Sequence, residues 1–262
     1  MSRFAEAVES NDHLITIWGD MALDRGGKVS TEDGVVRMWA DSPFGFWNTV
    51  ALDGHDIPAD ALADQLTRAA HFMRAGTQAG YLWLFEDLLS KAALQDLPRL
   101  AAEAGLELAF TGYGMAGDAA VADPVHPDLE FRRVENEAQL VTFGQINAVA
   151  YGMSEEAGLK ALNGSAYWLR ETCAYIAYRD GDPVACAATV KGADSIFLAL
   201  VATVPDAMRR GYGEAVSRKA IHEGIKETGH QHLVLHATQA GRPVYERIGY
   251  RTNSLIHFFQ PA

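Results

Sequence analysis

The sequence predicts an α/β protein, a mixed and mostly antiparallel sheet flanked by helices and built as two similar units in tandem. Three observations carry the prediction. Ile196 to Val204 is an almost wholly apolar run of strand length, as suits a strand buried on both faces. Pro205 closes it, because proline has no N–H to give a ladder. Gly211 and Gly213 then open a segment in which Val216, Ala220, Ile221 and Ile225 recur at helical spacing, with Arg218, Lys219, Glu223 and Glu227 between them.

The C-terminal half supports this in order. Leu129 to Val134 alternates like a strand, and helical spacing covers about 137–150 and 155–163. Cys173 to Arg179 and Val184 to Val190 read as a hairpin around the turn Asp180-Gly181-Asp182-Pro183. After the central strand and helix, Gly229 supplies a C-cap. His232 to His236 is a short strand, Gly241 to Ile248 a short helix, and Arg251 to Phe259 a last strand. Such an order places helices on the faces of a mixed sheet.

The N-terminal half follows a comparable outline. Residues 11–24 are helical, carrying Leu14, Ile15, Ile17, Trp18 and Met21. Gly34 to Ala40 and Phe46 to Leu52 are strands, and a helix at 58–75 sets Leu62, Leu66, Ala69, Ala70 and Met73 on one face. Tyr81 to Phe85 is a strand, 94–104 a helix ending at Gly105, and Leu106 to Tyr113 a strand. Trp39, Phe44, Phe46 and Trp47 are core aromatics. Asp118 to Pro127, with two prolines, is the linker, which divides the chain into units 1–120 and 128–262.

Composition narrows the function. The chain has 262 residues, 48% of them hydrophobic, enough for one large domain or two small ones. No secretory h-region opens the sequence and no apolar run reaches membrane-spanning length, so neither export nor a membrane span is expected. Cys173 and Cys186 fall on neighbouring strands in different registers, so no disulfide is expected. A cytoplasmic protein that does not engage membranes follows. The net charge of −12 argues against nucleic acid as a partner. Its distribution is uneven: residues 1–125 carry 8 Lys/Arg against 19 Asp/Glu, whereas 126–262 carry 14 against 15. Only the second half is suited to a phosphorylated ligand.

The strand, glycine loop and helix start of that half form an anion site. Unpaired N–H groups and the positive end of the helix dipole face the ligand, and glycine permits close approach. No Gly-x4-Gly-Lys-Ser/Thr run is present, and the third glycine of a dinucleotide fingerprint is missing. Met208-Arg209-Arg210-Gly211-Tyr212-Gly213 instead resembles the pyrophosphate loop of the GNAT acetyltransferase superfamily, Arg/Gln-x-x-Gly-x-Gly/Ala after a strand and a proline. Met208 stands where that family has Arg or Gln. Some 30 residues on, Tyr245-Glu-Arg-Ile-Gly249-Tyr250 resembles the family's Tyr-x-x-x-Gly-Phe/Tyr helix. Thr238 falls where many members have Asn. The resemblance covers about 130–262, and the N-terminal half looks like a second unit of this type without its loop. Asp53-Gly-His-Asp-Ile-Pro58 stands there in place of Gly-x-Gly, and Leu100 to Leu106 takes the place of Tyr245 to Tyr250.

By this resemblance the protein is an acetyl-CoA-dependent N-acetyltransferase acting on a primary amine of a small molecule. The pyrophosphate of CoA would sit on the backbone of Met208 to Gly213, and its pantetheine arm along Val201, Ala202 and Thr203. Thr238 would border the same site, and Tyr245 would act as general acid. No metal is implied. His232 and His236 are ~13 Å apart along a strand, too far to share an ion. The −11 balance of the first half suits a cationic, amine-bearing acceptor. Two other readings stay open: a CoA- or metabolite-binding protein with decayed activity, to which Met208 and Thr238 point, and an acetyltransferase of protein amines, which needs an open groove. A homodimer is left open.

Overall fold

A computed structural model describes residues 1–118 and 120–262. In the first half, Ser2 accepts the Ala5 N–H and starts α1 (Arg3–Asp24), eight residues before the helical pattern becomes legible. Strands β1 (Lys28–Glu32) and β2 (Val35–Trp39) form a hairpin. Its turn residues Asp33 and Gly34 have φ of 50° and 75°, the left-handed pair that matches strand twist. Every residue of β1 is exposed, so no alternation betrays it in the sequence. Then follow β3 (Asn48–Leu52), α2 (Ala59–Ala75), β4 (Tyr81–Phe85), α3 (Lys91–Glu103) and β5 (Leu106–Asp118). Phe46 and Trp47 lie in a short 3-10 turn rather than in β3. Trp39, Phe44 and Trp47 are buried as expected, and Phe46 half-buried.

The second half contains β6 (Glu130–Arg133), α4 (Glu137–Ala150), α5 (Glu155–Ala161), α6 (Ala166–Glu171), β7 (Thr172–Arg179), β8 (Asp182–Lys191), β9 (Ile196–Thr203), α7 (Tyr212–Thr228), β10 (His232–Thr238), α8 (Arg242–Ile248) and β11 (Arg251–Pro261). Helix α6, six residues long, is too short to show a period. Asp180 and Gly181, at φ of 52° and 90°, make the hairpin turn, and Gly229 at 77° ends α7. The linker is shorter than expected, because β5 runs on to Asp118; Ala119 within it lies outside the described residues.

The two halves share one topological plan. Strands β1, β2 and β3 are antiparallel neighbours, then β3 pairs in parallel with β4 across α2. Strands β6 to β9 are likewise antiparallel, then β9 pairs in parallel with β10 across α7. The compact units are not consecutive pieces of the chain. The first comprises Met1–Met115, His236–Arg242 and Thr252–Ala262, and the second Ala116–Leu235 and Pro243–Arg251. Strand β11 accordingly pairs antiparallel with β4, Ile256 opposite Phe85 and Phe258 opposite Trp83. Val35, Leu62, Leu66, Leu82, Leu97 and Phe259 belong to the first unit's core. Cys173 and Cys186 are both free, opposite Thr189 and Ile176 respectively.

Candidate acetyl-CoA site

The loop behind β9 leaves its amides open. Pro205 to Ala207 make one 3-10 turn, closed by the Ala207 N–H on Val204 and the Met208 N–H on Pro205. Arg209 then takes φ of 61° and Gly211 of 82°, left-handed turns that gather successive N–H groups into an anion-binding concavity. Gly211 is the N-cap of α7 and offers no side-chain cap. The N–H groups of residues 209 to 214 have no acceptor among the described residues. A Cβ on Gly211 would meet nothing within 4 Å, so the space before these amides is open. Arg209 and Arg210 are exposed and pair with no carboxylate among the described residues. Tyr212 takes part through its backbone alone, its ring being buried against His126. Met208 is exposed, its side chain playing no part in the turn.

Beside the loop, the sheet opens. The β9–β10 ladder holds Ile196, Phe197 and Leu198 against Leu233, Val234 and Leu235, and beyond Leu198 strand β9 keeps only β8. Val201, Ala202 and Thr203 thus have no strand along one edge, onto which an extended amide-bearing arm can add by main-chain hydrogen bonds. Thr203 also faces the loop, since a Cβ on Gly213 would come within 2.9 Å of its Oγ1. The β8–β9 register slips between Cys186, opposite Ala202, and Ala188, opposite Ala199. Two residues, Leu200 and Val201, therefore face Ala187 alone: a β-bulge with Leu200 at φ of 48°.

Helix α8 carries Tyr245, buried to 6% exposure. Burial, reinforced by the Tyr151 hydroxyl, pushes its pKa above the ordinary tyrosine value. Its hydroxyl has no hydrogen-bond partner among the described residues, so it can donate to a ligand. The Arg247 guanidinium, two residues on, pairs with Glu214 at 2.8 Å and ties α8 to the first turn of α7. Tyr151, the C-cap of α4, donates its hydroxyl to the Val201 carbonyl at 3.1 Å. The second unit therefore combines the loop, Val201 to Thr203, Tyr151 and Tyr245. Thr238 belongs to the first unit, where its hydroxyl accepts the Gly241 N–H at 3.1 Å and shapes the turn into α8.

Sequence reasoning missed Tyr151 and the bulge. Asn147 and Tyr151 stand four residues apart on one face of a largely apolar helix, a signal that was there to be read. The bulge has no such mark, because Leu200 is not a residue that announces a positive φ.

The equivalent place in the first unit is closed. Ile57 bridges to Leu89, giving its N–H to Leu88 and accepting that of Ser90, both at 3.0 Å. Leu52, Trp83, Phe85 and Leu88 crowd the adjoining space, which has no room for a water molecule. Asp53, Asp56 and Asp60 surround the start of α2, and they repel an anion. His236 lies among Trp18, Trp83 and Phe85 and hydrogen-bonds Ser10, and burial lowers its pKa to about 3. Asp123, His222 and Glu223 converge within 4.8 Å, yet the Lys219 ammonium already lies 2.9 and 2.8 Å from the two carboxylates.

A parallel strand pair that parts over an uncapped, glycine-hinged helix start defines the GNAT type of acyltransferase fold. Residues 170–252, about a third of the chain, match the family model of the acetyltransferase (GNAT) domain. Solved structures share the fold. A GCN5-related N-acetyltransferase from Kribbella flavida aligns over 89% of each chain with a TM-score of 0.66 at 17% identity. A GCN5-related N-acetyltransferase-like protein from Streptococcus suis covers 98% of this chain and 99% of its own, with a TM-score of 0.56 at 14% identity. One from Sphaerobacter thermophilus covers 87% of this chain and 76% of its own, with a TM-score of 0.59 at 11% identity. No curated protein matches the sequence.

Proposed function

We propose that the second unit transfers the acetyl group of acetyl-CoA to a primary amine on a small molecule. The observation that carries this reading is the run of six unpartnered N–H groups, residues 209 to 214, beside the open edge of β9. Acetyl-CoA supplies the acyl group as an activated thioester. The amides of Met208 to Gly213 and the helix end would hold its pyrophosphate, with Arg209 and Arg210 adding charge. Val201, Ala202 and Thr203 would hold the arm by strand addition and so fix the distance of the thioester from the amine, which supplies most of the rate. The neutral amine attacks the thioester carbonyl, a C–N bond forms as the C–S bond breaks, Tyr245 Oη gives its proton to the departing sulfur, and the proton lost by the nitrogen passes to solvent, which restores the tyrosine. Residues 1–120 act in this reading as a unit of the same lineage without a cofactor loop, and the acidic balance there supports a cationic acceptor.

The test is thiol release from acetyl-CoA across a panel of small primary amines, amino sugars, polyamines and peptides. Release driven by small cationic amines is the expected result. Release with peptides alone would move the acceptor to protein amines. Tight acetyl-CoA binding with no release for any amine would leave a binding protein.

A further inference from the structure

Leu200 holds a left-handed backbone with a full side chain, a conformation that costs roughly 1–2 kcal/mol and persists only where neighbours impose it. The neighbours are on α4. Asn147 donates through Nδ2 to the Cys186 thiol at 3.2 Å and to the Phe143 carbonyl at 3.0 Å. The thiol in turn lies 3.7 Å from the Leu200 carbonyl. One helical turn on, Tyr151 gives its N–H to the Asn147 carbonyl and its hydroxyl to the Val201 carbonyl. Two consecutive carbonyls of the bulge are therefore each engaged, one through a thiol and one through a phenol.

We propose that Tyr151 is a positioning residue, its hydroxyl pinning the Leu200–Val201 bulge so that the open edge of β9 meets the thioester in one register. The catalytic consequence rests on the function proposed above; the pinning does not. Tyr151 keeps 37% of its surface exposed, while its hydroxyl meets the Val201 carbonyl. Desolvation pushes its pKa up to about 12, so it remains a donor throughout neutral pH. Without it, the Val201 carbonyl loses that donor and the strained turn can relax toward regular pairing with β8. A one-residue slip there turns the set Val201, Ala202, Thr203 to the opposite faces.

Tyr151→Phe keeps the ring and removes only the hydroxyl. Amide hydrogen exchange on the protein without ligand should quicken about tenfold at Leu200 to Ala202, the scale of one lost hydrogen bond, and stay unchanged in β7 and α7. In amine-dependent turnover, kcat should fall about 10–100-fold while KM for the amine holds within twofold, the signature of a misplaced thioester. Unchanged exchange at Leu200 to Ala202 overturns the proposal, as does a rise spread evenly over the whole unit, and so does local loosening with wild-type kcat. If the wild-type protein neither binds nor turns over acetyl-CoA, the proposed function fails, and the exchange measurement still decides whether Tyr151 pins the bulge.

Discussion

Tyr245 combines a buried ring with a hydroxyl free to donate, and burial raises the pKa of that hydroxyl. It therefore keeps its proton across the neutral range, as a general acid toward a leaving thiolate must. Tyr245→Phe should lower kcat by about 10²–10⁴-fold with acetyl-CoA affinity unchanged, and by the same factor at every pH from 6 to 9. A variant with wild-type kcat, measured where chemistry limits the rate, would reduce Tyr245 to a packing residue. His236 gives a second prediction at this scale. Its folded pKa of about 3 lies below the ordinary histidine value, so the unfolded chain takes up a proton that the folded one refuses. Its stabilising contribution is complete above pH ~6.5 and is lost as pH falls toward 3, at up to about 1.4 kcal/mol per pH unit. Denaturant melts between pH 7 and 4 should show a shallower fall in stability for His236→Gln than for the wild type. Parallel curves would remove His236 from the acid response.

Among the elements, β11 shows how far chain order and spatial order diverge. It follows α8 directly, yet it pairs with β4 and buries Ile256, Phe258 and Phe259 in the first unit. Full burial of such side chains contributes about 1.5–3 kcal/mol each, and a whole domain is stable by only about 5–15 kcal/mol. A chain ending at Arg251 should therefore lose amide protection throughout β2, β3 and β4 at 25 °C, read by hydrogen exchange. Full protection of those strands in the shortened chain would contradict the assignment. The strand itself was legible from its apolar alternation at Arg251 to Phe259. Its partner was not, because pairing between residues about 170 apart leaves no trace in a local pattern. Strand β1 and helix α6 escaped for the opposite reason, one being exposed on every residue and the other too short to repeat a period.

For the molecule as a whole, the sequence disclosed most of the glycine loop and little of the bulged strand edge beside it. Gly211 and Gly213 encode the loop directly, since only glycine accepts φ of 82° freely at the helix cap and a Cβ on Gly213 would press on Thr203. The repeated plan was visible as element order, and its cause became clear only in pairing: an antiparallel meander followed by a parallel pair, open in the second unit and packed shut by Ile57, Leu88 and Leu89 in the first. What separates the two units chemically is thus a single junction between a strand and a helix. The most direct test is calorimetric titration of acetyl-CoA into the wild-type protein and into Gly211→Val, whose Cβ strains the left-handed cap and intrudes on the space before the amides. The wild type should bind one equivalent, and the variant, folded by circular dichroism, should bind at least 100-fold more weakly, about 2.7 kcal/mol of lost affinity. Equal binding by the two proteins would contradict the placement of acetyl-CoA on the 208–213 loop.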